Sequence, residues 1–294
     1  MTYTVAALYH FTQFPQPDEL RGPLLALCEA EGVRGTLLLA TEGLNGTIAG
    51  TEESIAKVIA HLRTLPGCEA LEWKRSEATE IPFRRMKVRL KAEIVTMGQP
   101  NTNPQARVGT YVDPEDWNAL IARDDVAVID TRNTYETMIG SFDGALDPRT
   151  ETFREFPDWW RENADKFQGK KIAMFCTGGI RCEKATSWLI DEGVDGVHHL
   201  KGGILKYLET VPEEESRWNG ECYVFDKRVS VAHGLKQGIH SACAACGRPV
   251  SPEDEMSPDY RKGISCPACI NEYSEADRER FAQRQKQFEQ SGEN

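Results

Sequence analysis

The spacing of apolar positions changes several times over the first hundred residues. Ala6-Ala7-Leu8-Tyr9 is a short apolar run of strand type, and Pro17 to Glu31 repeats at helical spacing before closing at Gly32. Gly35-Thr36-Leu37-Leu38-Leu39-Ala40 and Gly46-Thr47-Ile48-Ala49-Gly50 read as two strands joined by Glu42-Gly43-Leu44-Asn45. Thr51 stands where a helix N-cap belongs, with Glu53 and Ser54 in the first turn, and Leu65-Pro66-Gly67 ends that helix. A last strand is predicted from Met86 to Val95. The resulting β-α-β-β-α-β order predicts a ferredoxin-like α+β domain over residues 1–97. Residues 98–108, with the polar, proline-bearing run Gln99 to Gln105, form a predicted linker.

From 109 to 215 the pattern becomes α/β, of doubly wound type. Asp113-Pro114 marks a helix start with proline at the first helical position. Val126-Ala127-Val128-Ile129 and Lys171 to Phe175 are continuous apolar strands, suited to a parallel sheet covered on both faces. Cys182, Ala185, Trp188 and Leu189 mark the inner face of the next helix, which Gly193 closes. Val197-His198-His199-Leu200 then runs into Lys201-Gly202-Gly203. Beyond Pro212 the chain turns acidic; residues 216–294, the predicted C-terminal module, then become cysteine-rich and finish in a charged Gln/Glu/Arg tail expected to be partly disordered. No internal repeat is visible.

Composition narrows the class. The 294 residues carry a net charge of −11, so nucleic-acid contact requires a local basic patch rather than a basic protein. No stretch approaches the roughly 20 apolar residues of a membrane span. The segment Met1 to Ala6 has neither a basic n-region nor an apolar core, so a cytoplasmic location is expected. The nine cysteines are odd in number and four fall in Cys-x-x-Cys pairs, which favours reduced thiols over a disulfide framework.

Cys176 is the chief chemical candidate. It ends the run Ile172-Ala173-Met174-Phe175 and opens the loop Thr177-Gly178-Gly179-Ile180-Arg181 at a helix start. Orphan amides and the helix dipole make such a position electropositive, and Arg181 adds a permanent cation, so a reactive thiolate is expected. Asp130 and Arg132 end a neighbouring strand and are expected to face the same crevice; the structural alternative is a helix cap at Asp130 and an ion pair at Arg132. Cys182 reads as a packed core thiol or as a resolving thiol for an oxidised Cys176.

Two further constellations lie outside this domain. In Arg85-Met86-Lys87-Val88-Arg89-Leu90-Lys91-Ala92, alternation gathers Arg85, Lys87, Arg89 and Lys91 on one strand face. An RNA backbone would relieve their mutual repulsion; the alternative is a solvated strand paired with Glu77 and Glu80. Cys243-x-x-Cys246 and Cys266-x-x-Cys269, with nineteen residues between the pairs, have the spacing of a structural, zinc-ribbon-like metal site. The glycines at 43, 46 and 50 make no dinucleotide fingerprint, so no flavin or nicotinamide is indicated.

Asp130-Thr131-Arg132, Tyr135-Glu136, Gly144-Ala145, the loop Cys176–Arg181 and Lys201-Gly202-Gly203 together resemble the rhodanese domain. Gly140-Ser141-Phe142 departs from the Gly-His-Ile common in that family. Phosphatase relatives use a loop one residue longer between Cys and Arg, so the four-residue spacing here implies a ring sized for sulfur. The stretch Phe175 to Lys184, with Glu42-Gly43-Leu44-Asn45-Gly46 and Arg85 to Arg89, is similar to the rhodanese-like tRNA uridine hydroxylases over nearly the whole chain. That resemblance implies conversion of the wobble uridine in the tRNA anticodon loop to 5-hydroxyuridine with molecular oxygen as co-substrate, at a cysteine matching Cys176. A thiosulfate or persulfide sulfurtransferase is the rival enzyme. A non-catalytic RNA- or protein-binding module is the second alternative.

Overall fold

The computed structural model describes residues 2–291; Met1 and residues 292–294, including the end of the predicted tail, lie outside the described residues. The chain opens with β1 (Tyr3–Phe11), α1 (Pro17–Ala30), β2 (Arg34–Ala40), β3 (Gly43–Gly50), α2 (Glu52–Leu62), β4 (Trp73–Ala78) and β5 (Met86–Leu90). They form a five-stranded sheet in the order β4-β1-β3-β2-β5. The helices cover one face, where Leu8, Leu24, Leu37, Ile48, Val58 and Leu62 are almost fully buried. Thr51 caps α2 as its sequence predicts, its hydroxyl accepting from the Ser54 N–H at 3.2 Å.

Two strand assignments change. The fourth ferredoxin-like strand is β4, which the hydropathy pattern misses because Trp73-Lys74-Arg75-Ser76-Glu77-Ala78 is mostly polar and only Ala78 is buried. The strand predicted from Met86 to Val95 ends at Leu90 and is an extra one, pairing parallel to β2 on the opposite edge. Residues 79–85 cross the end of the sheet, where Ile81 and Phe83 pack on Val5 and Ala49. Met86 and Val88 point into the core, whereas Leu90 is exposed, so the predicted alternation holds for only two apolar positions.

The next unit comprises β6 (Thr110–Val112), α3 (Pro114–Ile121), β7 (Val126–Asp130), α4 (Thr134–Thr137), β8 (Gly140–Phe142), α5 (Phe156–Asn163), β9 (Lys171–Phe175), α6 (Ile180–Asp191), β10 (Val197–Leu200) and α7 (Gly203–Thr210). Strands β6-β10-β9-β7 make a parallel sheet. Alternate residues of β9 enter different cores: Ala173 and Phe175 pack towards α3 and α7, Ile172 and Met174 towards α5 and α6. Burial on both faces explains the unbroken apolar run. Asp113 precedes α3 without capping it; its carboxylate instead pairs with Lys201 at 3.0 Å.

Past α7 the chain forms β11 (Trp218–Gly220), β12 (Cys222–Tyr223) and β13 (Ser230–Val231), then β14 (Ser241–Ala242), β15 (Pro249–Val250), α8 (Pro252–Glu255) and α9 (Glu275–Ser291). β11 pairs with β8, setting Trp218 beside Phe142, and Val224, Val231 and Leu235 join the core of α3 and α7. Residues 218–235 therefore pack as part of the central unit. The tail expected to be partly disordered is helical in α9, opened by Ser274, whose hydroxyl accepts from the Asp277 N–H. Glu, Gln, Arg and Ala are good helix formers, which the compositional reading underweighted.

The two α/β units are locked together by a buried lysine. Lys184 of α6, 1% exposed, donates to Glu42 at 2.8 and 2.9 Å, to Glu93 at 2.6 Å and to the Val95 carbonyl at 3.0 Å. Glu42 also accepts from the Ile94 N–H at 2.6 Å, and Asn45 donates to the Ile94 carbonyl at 2.8 Å. Glu42-Gly43-Leu44-Asn45 thus serves as a docking turn; its last three residues lie within β3 rather than in the predicted connection.

Candidate active site

Cys176 follows β9, and its loop is clamped from below by the start of α7. The Ile204 and Leu205 N–H groups donate to the Cys176 and Thr177 carbonyls, both at 3.0 Å. Gly203 makes that approach possible: a Cβ there would lie 2.5 Å from the Cys176 carbonyl oxygen. The loop curls back through Gly179 at φ +104°, and the Gly179 N–H donates to Cys176 Sγ at 3.1 Å. A Cβ at Gly179 would lie 2.8 Å from the Tyr9 hydroxyl, so a β1 side chain bears directly on the loop.

The thiol is fully buried. Burial pushes its pKa up, yet the Cys182 thiol, the Arg181 charge and the Cys182 and Gly179 N–H groups outweigh that and bring it down to about 5. The opposite holds for Cys182, driven well above the usual thiol range by burial and by its hydrogen bond and repulsion with Cys176. The two shifts run in opposite directions, so charge on the pair is favoured at Cys176 rather than at Cys182.

Arg181 acts here by charge. Its guanidinium is engaged by Glu136 through two bonds of 2.6 Å, and Thr177 Oγ1 donates to the same carboxylate at 3.0 Å. Glu136 is fully buried; burial raises its pKa, but the charge and hydrogen bonds of Arg181 lead a larger opposing effect and hold it below the usual carboxylate range. Glu136 stands in the sequence motif without an assigned role; its carboxylate also accepts from the Asn133 N–H at the start of α4, at 3.2 Å.

Asp130 and Arg132 do not face the crevice; of the two readings, the structural ion pair of Arg132 is the one present, made with Asp130 itself. Both are wholly buried, and Arg132 binds Asp130 through bonds of 2.6 and 2.9 Å and donates to the Gly140 carbonyl at 2.6 Å. Asp130 caps no helix; Asn133 holds the N-cap position of α4, its N–H donating to Glu136 at 3.2 Å. Ser141 donates to Asp130 at 3.1 Å, and Phe142 fills an aromatic cluster with Phe175, Tyr207 and Trp218. The pair thus supports the turn that presents Tyr135 and Glu136.

Above Cys176 lies a cavity of about 280 Å³ walled by all three parts of the chain: Tyr9, Asn45 and Lys74, then Arg181, then Phe225 and Arg228. This is just under the about 300–1,000 Å³ of typical small-molecule pockets. Lys74 Nζ stands 4.9 Å over the Tyr9 ring, and the Tyr9 hydroxyl donates to Glu183 at 2.7 Å. Burial lowers the Lys74 pKa, and the negative charges of Cys176 and Glu183 oppose that shift. Sequence inspection missed Lys74 because β4 has no apolar period.

Strand register links this wall to the basic stripe. Lys74 is opposite Ala7, which faces Thr47, Thr36 and then Lys87 across successive strands; Tyr9, Asn45, Leu38 and Arg89 form the next row. Lys87 and Arg89 therefore share the sheet face that carries Tyr9 and Lys74. Arg85, Arg89 and Lys91 are exposed and Lys87 is half-buried. Glu77 lies on the opposite edge strand and pairs with Arg75.

Cys243, Cys246, Cys266 and Cys269 converge with all sulfurs within 4.8 Å. The Cys243–Cys269, Cys246–Cys266 and Cys266–Cys269 separations are 4.0, 3.8 and 3.6 Å. A tetrahedron of about 2.3 Å metal–sulfur bonds has edges of about 3.8 Å, so the four thiols fit one metal ion. His240 takes no part; it bonds Glu221 at 2.6 Å.

A doubly wound sheet, an amide-ringed cysteine loop and an Arg–Glu pair beneath it define a rhodanese-type domain, here with an additional sheet domain closing over its site. Residues 113–210 match the Rhodanese-like domain and residues 3–94 the UPF0176 acylphosphatase like domain. The tRNA uridine(34) hydroxylase of Gluconobacter oxydans is 62% identical over 96% of this chain and 92% of its own length. That of Ruegeria pomeroyi is 62% identical over 97% and 95%, and that of Brucella anthropi 58% over 98% and 94%. The chain belongs to the tRNA uridine(34) hydroxylase family.

Arg181→Met should leave Glu136 as an uncompensated buried charge and lower unfolding stability by about 3–5 kcal/mol in urea titrations at pH 7. Because the folded-state pKa of Glu136 is depressed, its contribution is present at neutral pH and declines as pH falls through that value, so the wild-type and Met curves should converge in acid. Equal stabilities at pH 7 would contradict the pairing.

Proposed function

We infer that this chain is an oxygen-dependent tRNA hydroxylase that converts uridine 34, the wobble base of the anticodon loop, to 5-hydroxyuridine. The observation that carries the reading is Cys176, its sulfur bonded by the Gly179 N–H at 3.1 Å, lining a nucleobase-sized cavity in a chain 62% identical to proteins named for that reaction. A base splayed from the anticodon loop can enter such a pocket at modest unstacking cost. The Cys176 thiolate adds to C6 of the uracil, and the electrons of the C5–C6 bond move towards C5 and the O4 carbonyl, making C5 reactive towards dioxygen. Before attack, the loop amides at Gly179 and Cys182 hold the sulfur charge, with Arg181 contributing at longer range. Lys74, on the opposite wall, is placed to meet charge developing on the base.

The basic face extends the site. Arg85, Lys87, Arg89 and Lys91 would lie along the phosphates of the anticodon arm while the base turns inward past Tyr9 and Lys74. In this reading the working division is 1–97 for the RNA-contacting domain, 98–108 for the linker, 109–215 for the rhodanese domain and 216–294 for the C-terminal module, whose first part, residues 218–235, packs into the rhodanese core. The four-cysteine site is read as structural zinc, because four thiolates leave no open position for chemistry. No helix among the described residues is long and apolar enough to cross a membrane. The protein is taken to act on tRNA in the cytoplasm.

In a strain lacking the endogenous protein, wild-type complementation should restore 5-hydroxyuridine in tRNA and Cys176→Ser should not, as read by nucleoside mass spectrometry. Normal levels with Cys176→Ser would end the proposal. The double variant Lys87→Glu, Arg89→Glu should weaken tRNA binding at least tenfold and flatten the logarithmic salt dependence by about one unit per lost phosphate contact. Unchanged affinity and slope would remove the stripe from the interface.

A further inference from the structure

Cys182 is more than a packed core thiol. It occupies the first turn of α6, fully buried, in the same packed cluster as Cys176. Its sulfur is held from behind by Thr131, whose Oγ1 lies 3.5 Å away and itself donates to the Phe175 carbonyl at 3.0 Å. Cys176 thus lines the cavity, and Cys182 lies buried behind it in the same core. At Gly178, between them, the space a side chain would fill is empty of neighbours within 4 Å.

The proposed reaction has an electron requirement that no residue has yet met. Dioxygen accepts four electrons when one oxygen atom enters uridine and the other leaves as water. Uridine supplies two, so two more must come from elsewhere. We propose that the Cys176–Cys182 dithiol supplies those two electrons, closing to a disulfide in each turnover. This rests on the hydroxylase reading and assigns its reductant.

The steps balance. With Cys176 sulfur bonded to C6, C5 takes up dioxygen and a proton to become a hydroperoxide. Loss of the C5 proton and cleavage of the O–O bond release water and leave a carbonyl at C5. The Cys182 sulfur, giving its proton to solvent, then attacks Cys176 sulfur. The S–C6 bond breaks, its electron pair returns to the ring as the C5 enolate, and protonation of that oxygen gives 5-hydroxyuridine. The products are 5-hydroxyuridine, water and one disulfide. A soluble thiol or dithiol must reduce that disulfide before the next cycle.

The test uses the full-length protein, fully reduced and freed of small thiols, mixed with unmodified tRNA in air. Product should form to one equivalent per chain and stop, and alkylation with peptide mapping should show Cys176 and Cys182 joined in equal amount. Added dithiothreitol should restart turnover. Cys182→Ser should yield less than a tenth of the wild-type product in the absence of added thiol, with folding checked by its melting curve. Product formed while both thiols stay alkylatable would overturn the proposal, whatever the variant does. A separate arm titrates the protein with diamide in the absence of tRNA. A reversible Cys176–Cys182 disulfide there supports the pair as a redox couple even if no tRNA product forms, an outcome that would instead sink the hydroxylase reading. Failure of the two to link in the folded chain overturns the dithiol.

Discussion

The account depends on a negative charge kept where water cannot reach it. A wholly buried sulfur loses its hydration, and desolvation alone favours the thiol. The protein opposes this with oriented N–H groups, a neighbouring S–H donor and the field of Arg181. Since Arg181 is already neutralised by Glu136, the local donors must carry much of the charge. Small displacements of the loop therefore matter more than the presence of the arginine, and the close packing of Gly203 against Cys176 prevents them.

That requirement explains the domain arrangement. The rhodanese unit supplies the sulfur and its donors, but the walls that turn a surface loop into a cavity come from β1, β3 and β4 on one side and from residues 224–235 on another. Tyr9 rests on the active loop, and Lys184 ties α6 to Glu42 and Glu93 with its ammonium almost wholly removed from solvent. A buried lysine with two carboxylates and a carbonyl is costly unless every partner is in place, so it fixes how the domains dock. Strand register within the first sheet puts Lys74, Lys87 and Arg89 on one face, and Lys74 on that face lines the cavity.

Much of this was legible in the sequence where local signals coincide with the tertiary demand. The run Ile172 to Phe175 followed by Gly-Gly and arginine identified the loop, and two Cys-x-x-Cys pairs identified the metal-compatible site. Legibility failed where polar residues do tertiary work. β4 has no alternation because Lys74 and Ser76 face a cavity and Arg75 and Glu77 face solvent. Asp130 and Arg132 looked like surface chemistry at a strand end, yet they satisfy each other in the interior, a pairing visible only after β8 closes over them. Glu136 was overlooked because its pairing with Arg181, 45 residues further along the chain, exists only in the fold.

The central claim is most directly examined by the pH dependence of thiolate absorbance, taken as the difference between the wild-type chain and Cys176→Ala so that the four-cysteine site cancels. A transition centred at about 5 is predicted. A transition remaining near 9.0, the ordinary thiol value, would contradict the account.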